Sequence, residues 1–276
     1  MIGFQSGLST QDAMLQITTA ILDPLIPTHT KAVLAIDLKK AFNNVTHEAI
    51  LKAMRDLGIG PRTYSYIRAF LHNRTASMCV DNLRTRRYTL ANVGTQQGSV
   101  LSPFLFNAVL IPLARKLQQI PHLDHTLYAD DITLWTTYGS DAQIEETLQT
   151  AAMVIQEEVT KVGLTCSPEK SELVLILPKG RTYHTPIRIY VQGMDVPQVQ
   201  TIRILGLYLQ QDGRSNEAIK RLKSTLAATS QVICRVRNKA HGLGEEDTLR
   251  VIQAYTLVEY CILPPPSTSM LPKPKQ

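Results

Sequence analysis

Cysteine is scarce in this chain. Its four cysteines, Cys79, Cys166, Cys234 and Cys261, lie far apart and form no C-x-x-C pair. A disulfide framework and a zinc knuckle are therefore not expected, and reduced, mostly buried thiols are. His122 and His125 are spaced like loop ligands, but nothing nearby completes a metal site. Long apolar runs are also missing: none approaches the ~18 residues of a membrane span. The opening Met1-Ile2-Gly3-Phe4-Gln5-Ser6 has neither the charged start nor the apolar stretch of a signal peptide, so the chain reads as intracellular. Internal repeats are absent as well. What is present suits a folded protein of one or two domains: 44% hydrophobic and 19% charged residues in a 276-residue chain.

The net charge of +6 is unevenly distributed. Residues 52–87 carry Lys52, Arg55, Arg62, Arg68, Arg74, Arg84, Arg86 and Arg87 against Asp56 and Asp81. Residues 201–240 carry Arg203, Arg214, Lys220, Arg221, Lys223, Arg235, Arg237 and Lys239 against Asp212 and Glu217. Each stretch is net +6, which leaves the remainder at −6. Two basic patches around an acidic remainder suit a protein that grips a polyanion and sets carboxylates inside the grip. Two solvated helix faces are the alternative.

Hydrophobic periodicity predicts a helix over 9–26, capped by Ser9. Ala32–Leu38 reads as a buried strand whose one polar residue is Asp37. Helices follow at 46–57, stopped by Gly58, and from Pro61 onward. Ser77–Val80 and Arg87–Ala91 read as hairpin arms whose connection begins at Asp81. Gly94–Ser99 is a glycine-bearing loop feeding a long helix with Leu105, Val109, Leu113 and Leu117 inside. His125–Trp135 reads as two strands about a tight turn at Ala129-Asp130-Asp131. Ser140 and Gln143 have capping-box spacing for a helix ending at Gly163. Strands at 172–177, 187–191 and 202–209, then helices at 215–237 and 245–260, complete the pattern. A Pro- and Ser-rich tail from Pro264 is expected to be disordered. The fold class is α+β, with antiparallel strands carrying the polar residues and helices behind.

Two features put acids where a core should be apolar. Asp37 ends a buried strand, and Asp130-Asp131 sits at the tip of a strand pair. Carboxylates at strand ends are costly to desolvate without compensating charge, and no counter-charge is evident in the sequence. Three converging acids would take a divalent cation, and Mg²⁺ suits a site with positions left for phosphate oxygens. Two such ions about 3.5–4 Å apart activate a hydroxyl and stabilise a leaving pyrophosphate. A polar hairpin turn is the alternative for Asp130-Asp131, and the strand-forming Leu127-Tyr128 and Ile132–Trp135 on either side stand against it.

The motifs then add up. Tyr128-Ala129-Asp130-Asp131 resembles the YxDD box of reverse transcriptases. Asp37-Leu38-Lys39-Lys40-Ala41-Phe42, with Val45 and His47 in register, resembles their first catalytic motif as LINE-type enzymes carry it. Gly94–Pro103 is similar to the segment that lies against template and incoming nucleotide. Gly163-Leu164 with Pro168–Ser171 resembles the next motif, Leu205-Gly206 in Ile204–Leu209 the primer-grip strand, and Ile2–Ala13 a stretch of the fingers. The order and number of motifs mark a resemblance to the reverse transcriptases of non-LTR (LINE-like) retrotransposons over residues 2–260.

That resemblance implies a polymerase palm with partial fingers and a partial helical thumb. The fingers remnant would be 1–30, the palm 31–212, the thumb 213–262 and the tail 263–276. It implies RNA-directed DNA polymerase activity with an RNA template, a DNA primer, deoxynucleoside triphosphates and two Mg²⁺ ions, which Mn²⁺ can replace. Asp37 and Asp130 would hold the metals with Asp131 beside them, and Phe42 would sit under the nucleotide sugar. Gln97 and Gly98 would touch nucleotide and template, the glycine permitting close approach. Lys170 would assist proton transfer to pyrophosphate. Without the motifs, Phe42 reads as an ordinary core residue and Lys170 as a surface lysine. The basic helices after residue 214 would grip duplex through phosphates. Localisation to nucleus, cytoplasm or both follows from the need to meet RNA and chromatin.

The chain departs from the family at Gln5, where arginine is usual, at Gln96, where proline is, and at Asn43, where aspartate is. The resemblance also places its start inside the fingers, downstream of the triphosphate-binding basic residues and of the endonuclease. On that ground the chain alone is expected to be nearly inactive, and a nucleic-acid-binding remnant without turnover is the competing reading.

Overall fold

A computed structural model of the chain describes residues 3, 7–22, 29–81, 83–178, 186–214, 216–236 and 242–254. The expected tail at 263–276, the final part of the second thumb helix, and Gln5 lie outside the described residues.

The centre is a four-stranded antiparallel sheet in the order β6-β7-β1-β8. β1 is Lys31–Leu38, β6 Asp124–Tyr128, β7 Asp131–Thr136 and β8 Cys166–Ile176. Side chains alternate across a strand, so each strand feeds two faces. Ala32, Leu34, Ile36 and Leu38 join Ile132, Leu134, Leu173 and Leu175 on the back. There they pack against α3 (His47–Asp56), α5 (Leu101–Leu117) and α6 (Asp141–Lys161) through Ile50, Met54, Leu105, Leu113, Leu148 and Ile155. Val33, Trp135, Val174 and Ile176 point to the front. That face is covered by α1 (Thr10–Leu22) and by the hairpin of β11 (Thr201–Ile204) and β12 (Leu207–Gln210). Cover on both faces explains why Ala32–Leu38 is nearly continuously apolar although its ladders are antiparallel.

The helix ends follow their local chemistry. Thr46 caps α3 by accepting from the Ala49 N–H, and Ser140 with Gln143 forms the expected capping box on α6. Gly58 and Gly163 end helices with positive φ. α4 (Pro61–Leu71) starts at its proline as expected. Among the described residues no helix is long and apolar enough to cross a membrane.

Four elements differ from the sequence reading. β8 begins at Cys166, six residues before the expected strand; Pro168 is tolerated because β8 is at the sheet's edge. The strand expected over 202–209 is a hairpin, because Leu205 (φ 51) and Gly206 (φ 99) turn the chain back in two residues. The strand expected at 187–191 shrinks to β9 (Tyr190–Val191), paired with β10 (Met194–Asp195). The 77–91 hairpin is split into two tiers: β2 (Thr75–Ala76) pairs with β5 (Tyr88–Thr89), and β3 (Cys79–Val80) with β4 (Leu83–Arg84). The remaining elements are α2 (Ala41–Asn44) after β1, α7 (Asn216–Val236) and α8 (Glu245–Ile252).

Candidate active site

Strand alternation puts Asp37 on the front face with Val33 and Ala35, at the end where β1 leaves the sheet. Its register partner on β7 is Asp131, so the two acids face each other across the ladder. Asp130 lies between β6 and β7 in the short turn that follows Ala129. Ala129 has φ 54, a left-handed conformation that alanine resists, so this turn stores strain of order 1–3 kcal/mol.

A small cavity of about 110 Å³ opens over these strands. It is lined by Asp37, Asp131, Lys170, Glu172, Arg203 and Leu205, among others. The tip of the β11–β12 hairpin forms its outer wall. One oxygen of Asp37, Oδ2, is buried without a hydrogen-bond partner. Its closest cation is the Lys170 ammonium at 3.7 Å, beyond hydrogen-bonding distance. This corrects one expectation, since the acids do have a counter-charge in Lys170. That side chain is 70% exposed, so its compensation is weak.

Electrostatics record the crowding. Desolvation pushes the Asp37 carboxyl above its ordinary value; Lys170 opposes this, and Asp130 adds to it. Desolvation also raises Asp131, which opens to solvent at the cavity mouth, and the charges of Asp130 and Asp37 raise it further. Among the described residues no three His, Cys, Asp or Glu side chains close on one point as a preformed metal cage. What stands here is a two-carboxylate face with an unsatisfied oxygen. That donor set fits Mg²⁺, which takes one or two carboxylates and leaves its other positions to water and phosphate.

Phe42 lies just beyond the end of β1 and packs against the larger core cluster. It follows Lys40, whose φ of 45 turns the chain into α2, and its half-buried ring stacks on Phe106 at 4.5 Å. The Phe42 carbonyl accepts from the Thr95 N–H at 2.7 Å, which fastens the 94–98 loop to this turn. Gln97 and Gly98 are exposed in that loop. Gln97 lines a separate cavity of about 610 Å³ with Asn43, Arg74 and Gln96. The predicted site residues thus form two groups: Asp37, Asp130, Asp131 and Lys170 in one, Phe42, Gln97 and Gly98 in the other.

Gly98 has φ 86, and a Cβ there would meet nothing within 4 Å, so backbone conformation, not crowding from the chain, demands glycine. Two other glycines were not singled out by the sequence. A Cβ on Gly94 would lie 2.7 Å from the Asn43 carbonyl oxygen. Gly3 lies on the Asp130 turn: its N–H donates to Leu127 O at 3.4 Å, and a Cβ would come within 3.0 Å of Ala129 N. The buried Asn107 amide holds the Gly3 carbonyl at 2.5 Å. Membership of a glycine-bearing motif was the one signal available for either.

Against known proteins, the family profile described as "Reverse transcriptase (RNA-dependent DNA polymerase)" matches residues 1–209. The chain belongs to the reverse transcriptase family. The curated relatives of this reverse transcriptase are proteins of retrotransposable elements. The chain is similar to the Pol polyprotein of type-1 retrotransposable element R2 from Popillia japonica, 29% identical over 80% of this chain and 33% of that protein. It is also similar to the 115 kDa protein of element R1DM from Drosophila melanogaster, 27% identical over 85% of this chain and 22% of the relative. The chain therefore spans a third or less of the length of these curated relatives. Telomerase from Candida tropicalis in complex with a TWJ fragment of telomeric RNA shares the palm-type polymerase fold. Its TM-score is 0.52 at 10% identity, over 94% of this chain and 43% of that one. The apo form gives 0.51 at 11% identity, over 73% and 35%.

Proposed function

We propose that this chain is the part of an RNA-directed DNA polymerase that carries the acids of synthesis, at the Asp37–Asp131 face. The observation that carries this is the buried, unsatisfied Asp37 Oδ2 set opposite a second carboxylate. A lone orphaned acid would be a structural fault; paired acids at a cavity mouth are a cation site in waiting. Asp37 and Asp130 would hold the divalent ions, with Asp131 beside them. Bound there, Mg²⁺ supplies Lewis-acid stabilisation of phosphoryl charge and lowers the pKa of a coordinated hydroxyl.

The chain's own residues do the rest. The front face of the sheet holds Asp37 and Asp131 on strands, with Asp130 in the tight turn beside them. Lys170, exposed at the cavity rim, would give a proton to the leaving pyrophosphate. Phe42 backs the sugar of a deoxynucleotide, braced by Phe106 and by the tethered 94–98 loop. Gln97 and Gly98 contact template and nucleotide, the open space at Gly98 leaving room for close approach. The palm spans 31–212 between a fingers stretch at 1–30 and a thumb at 213–262, where the basic face of α7 grips RNA–DNA duplex. The partners are an RNA template, a DNA primer and deoxynucleoside triphosphates, met in the nucleus or the cytoplasm.

Primer extension on a homopolymer RNA with a DNA primer tests the reading, comparing the chain with Asp37→Asn/Asp130→Asn. Synthesis that requires both acids supports it. Hybrid binding with no synthesis in Mg²⁺ or Mn²⁺ would favour a catalytically impaired nucleic-acid-binding remnant instead.

A further inference from the structure

Asn107 is the only polar residue in the buried stretch Leu105–Leu110 of α5, between Phe106 and Ala108. It is 8% exposed, and its Oδ1 is buried with no hydrogen-bond partner. A buried amide oxygen left unmet is costly, and an apolar side chain of similar shape avoids that cost. Packing alone therefore does not account for asparagine here. The other end of the amide is used, since Nδ2 donates to the Gly3 carbonyl at 2.5 Å.

Gly3 is pressed onto the turn that presents Asp130. Its N–H donates to the Leu127 carbonyl at 3.4 Å, and a Cβ would stand 3.0 Å from Ala129 N and 3.2 Å from the Tyr128 Cα. Gly3 is not among the glycines of positive φ, so close approach alone calls for glycine. The peptide it covers leads into Ala129, whose φ of 54 is strained. A strained residue keeps its conformation only while its surroundings hold it there. Asp130 has no hydrogen bond or ion pair of its own among the described residues, so its carboxylate goes where that turn sends it. The contacts thus run from Asn107 to Gly3, from Gly3 to the Tyr128-Ala129 peptide, and from that peptide to Asp130.

We propose that Asn107 is a positioning residue, acting through Gly3 to hold the Asp130 turn in place for a divalent cation shared with Asp37. It rests on the reading of Asp130 as a metal-holding acid, and adds a residue that touches neither metal nor nucleotide. A bond that only fastened residue 3 to the palm would call for no glycine against the strained peptide and no amide in the core.

The test uses the full chain with Asn107→Leu, which keeps a branched side chain and removes the donor. Amide hydrogen exchange in the metal-free chain should quicken at residues 128–131 by about fivefold, the worth of one net hydrogen bond, with α6 and β8 unchanged. Mn²⁺ affinity, followed by electron paramagnetic resonance, should fall by about the same factor. The melting temperature should stay within about 4 °C of the unaltered chain. Gly3→Ala reaches the same turn with Asn107 intact and should show the same two changes. Combined, the two substitutions should lower Mn²⁺ affinity no further than the larger single effect, because they act along one path. Unchanged turn exchange and Mn²⁺ affinity in both single variants would overturn the inference, as would losses of affinity that track a general loss of stability. In either case, Mn²⁺ binding that is lost in Asp37→Asn/Asp130→Asn leaves the polymerase reading standing. Mn²⁺ binding that is the same in Asp37→Asn/Asp130→Asn as in the unaltered chain would overturn both.

Discussion

Asp37 on β1 and Asp131 on β7 are cross-strand partners, two carboxylates facing each other with one Asp37 oxygen unsatisfied. Like charges in directly opposed positions destabilise a sheet. Both carboxyls are raised in the folded state, chiefly by desolvation, so the native chain binds protons more readily than the unfolded one. Stability from these groups is therefore present at low pH and lost as pH rises through their folded values. Asp131→Asn should raise the melting temperature at pH 7 by roughly 1–3 °C, the scale of a solvent-screened pair. The gain should shrink toward about pH 4, the unfolded carboxylate value. Thermal melts across pH 4–8 check this, and a lower melting temperature for the variant at pH 7 contradicts it.

Magnesium should relieve the same repulsion. At pH 7.5, millimolar Mg²⁺ is expected to raise the melting temperature of the unaltered chain, because a ligand that binds only the native state stabilises it. Asp37→Asn/Asp130→Asn should show no such rise. Equal shifts in both proteins would mean that the ion binds elsewhere.

Phe42 stacks on Phe106 and carries, on its carbonyl, the loop that begins at Gly94. Phe42→Ala should cost about 2–3 kcal/mol, the low end for removing an aromatic ring because this one is half-buried. In any active preparation it should also admit ribonucleotides more freely. A ribo/deoxy preference that changes by less than about threefold, under about 1 kcal/mol, would reduce Phe42 to packing.

Two glycines of the same loop should respond differently to alanine. Gly94→Ala combines a positive φ with a Cβ 2.7 Å from a backbone oxygen, and should cost about 2–4 kcal/mol. Gly98→Ala meets open space and should cost only the left-handed penalty, about 1–2 kcal/mol. Urea midpoints measure both, and equal losses would show that the Asn43 backbone yields.

Much of this was legible in sequence where signals are local. The run Ala32–Leu38, the acids within strand-forming neighbours, the Ser140–Gln143 cap and the Gly58 and Gly163 stops all depend on a few adjacent residues. β8 was read short because Pro168-Glu169-Lys170-Ser171 looks like a turn, and its place at the sheet's edge is a property of the whole sheet. The Leu205-Gly206 turn is hard to read because leucine seldom takes a positive φ, which leaves Gly206 alone as a signal within Ile202–Leu209. Lys170 beside Asp37, Gly94 against Asn43 and Gly3 on the Asp130 turn are approaches between distant segments. Each follows from strand register or loop docking, which periodicity does not encode.

The strand order has a consequence for the chain's synthesis. β1, which carries Asp37, emerges early, but among the described residues its ladders run to β7 and β8, whose residues follow about a hundred or more positions later. At translation rates of about 5–20 residues per second, an apolar strand waits roughly five seconds or longer for its first ladder. Until Ile176 is made, one of its edges has no complete partner. A nascent chain stopped before that point would carry the first acid and no site, with its most aggregation-prone edge uncovered.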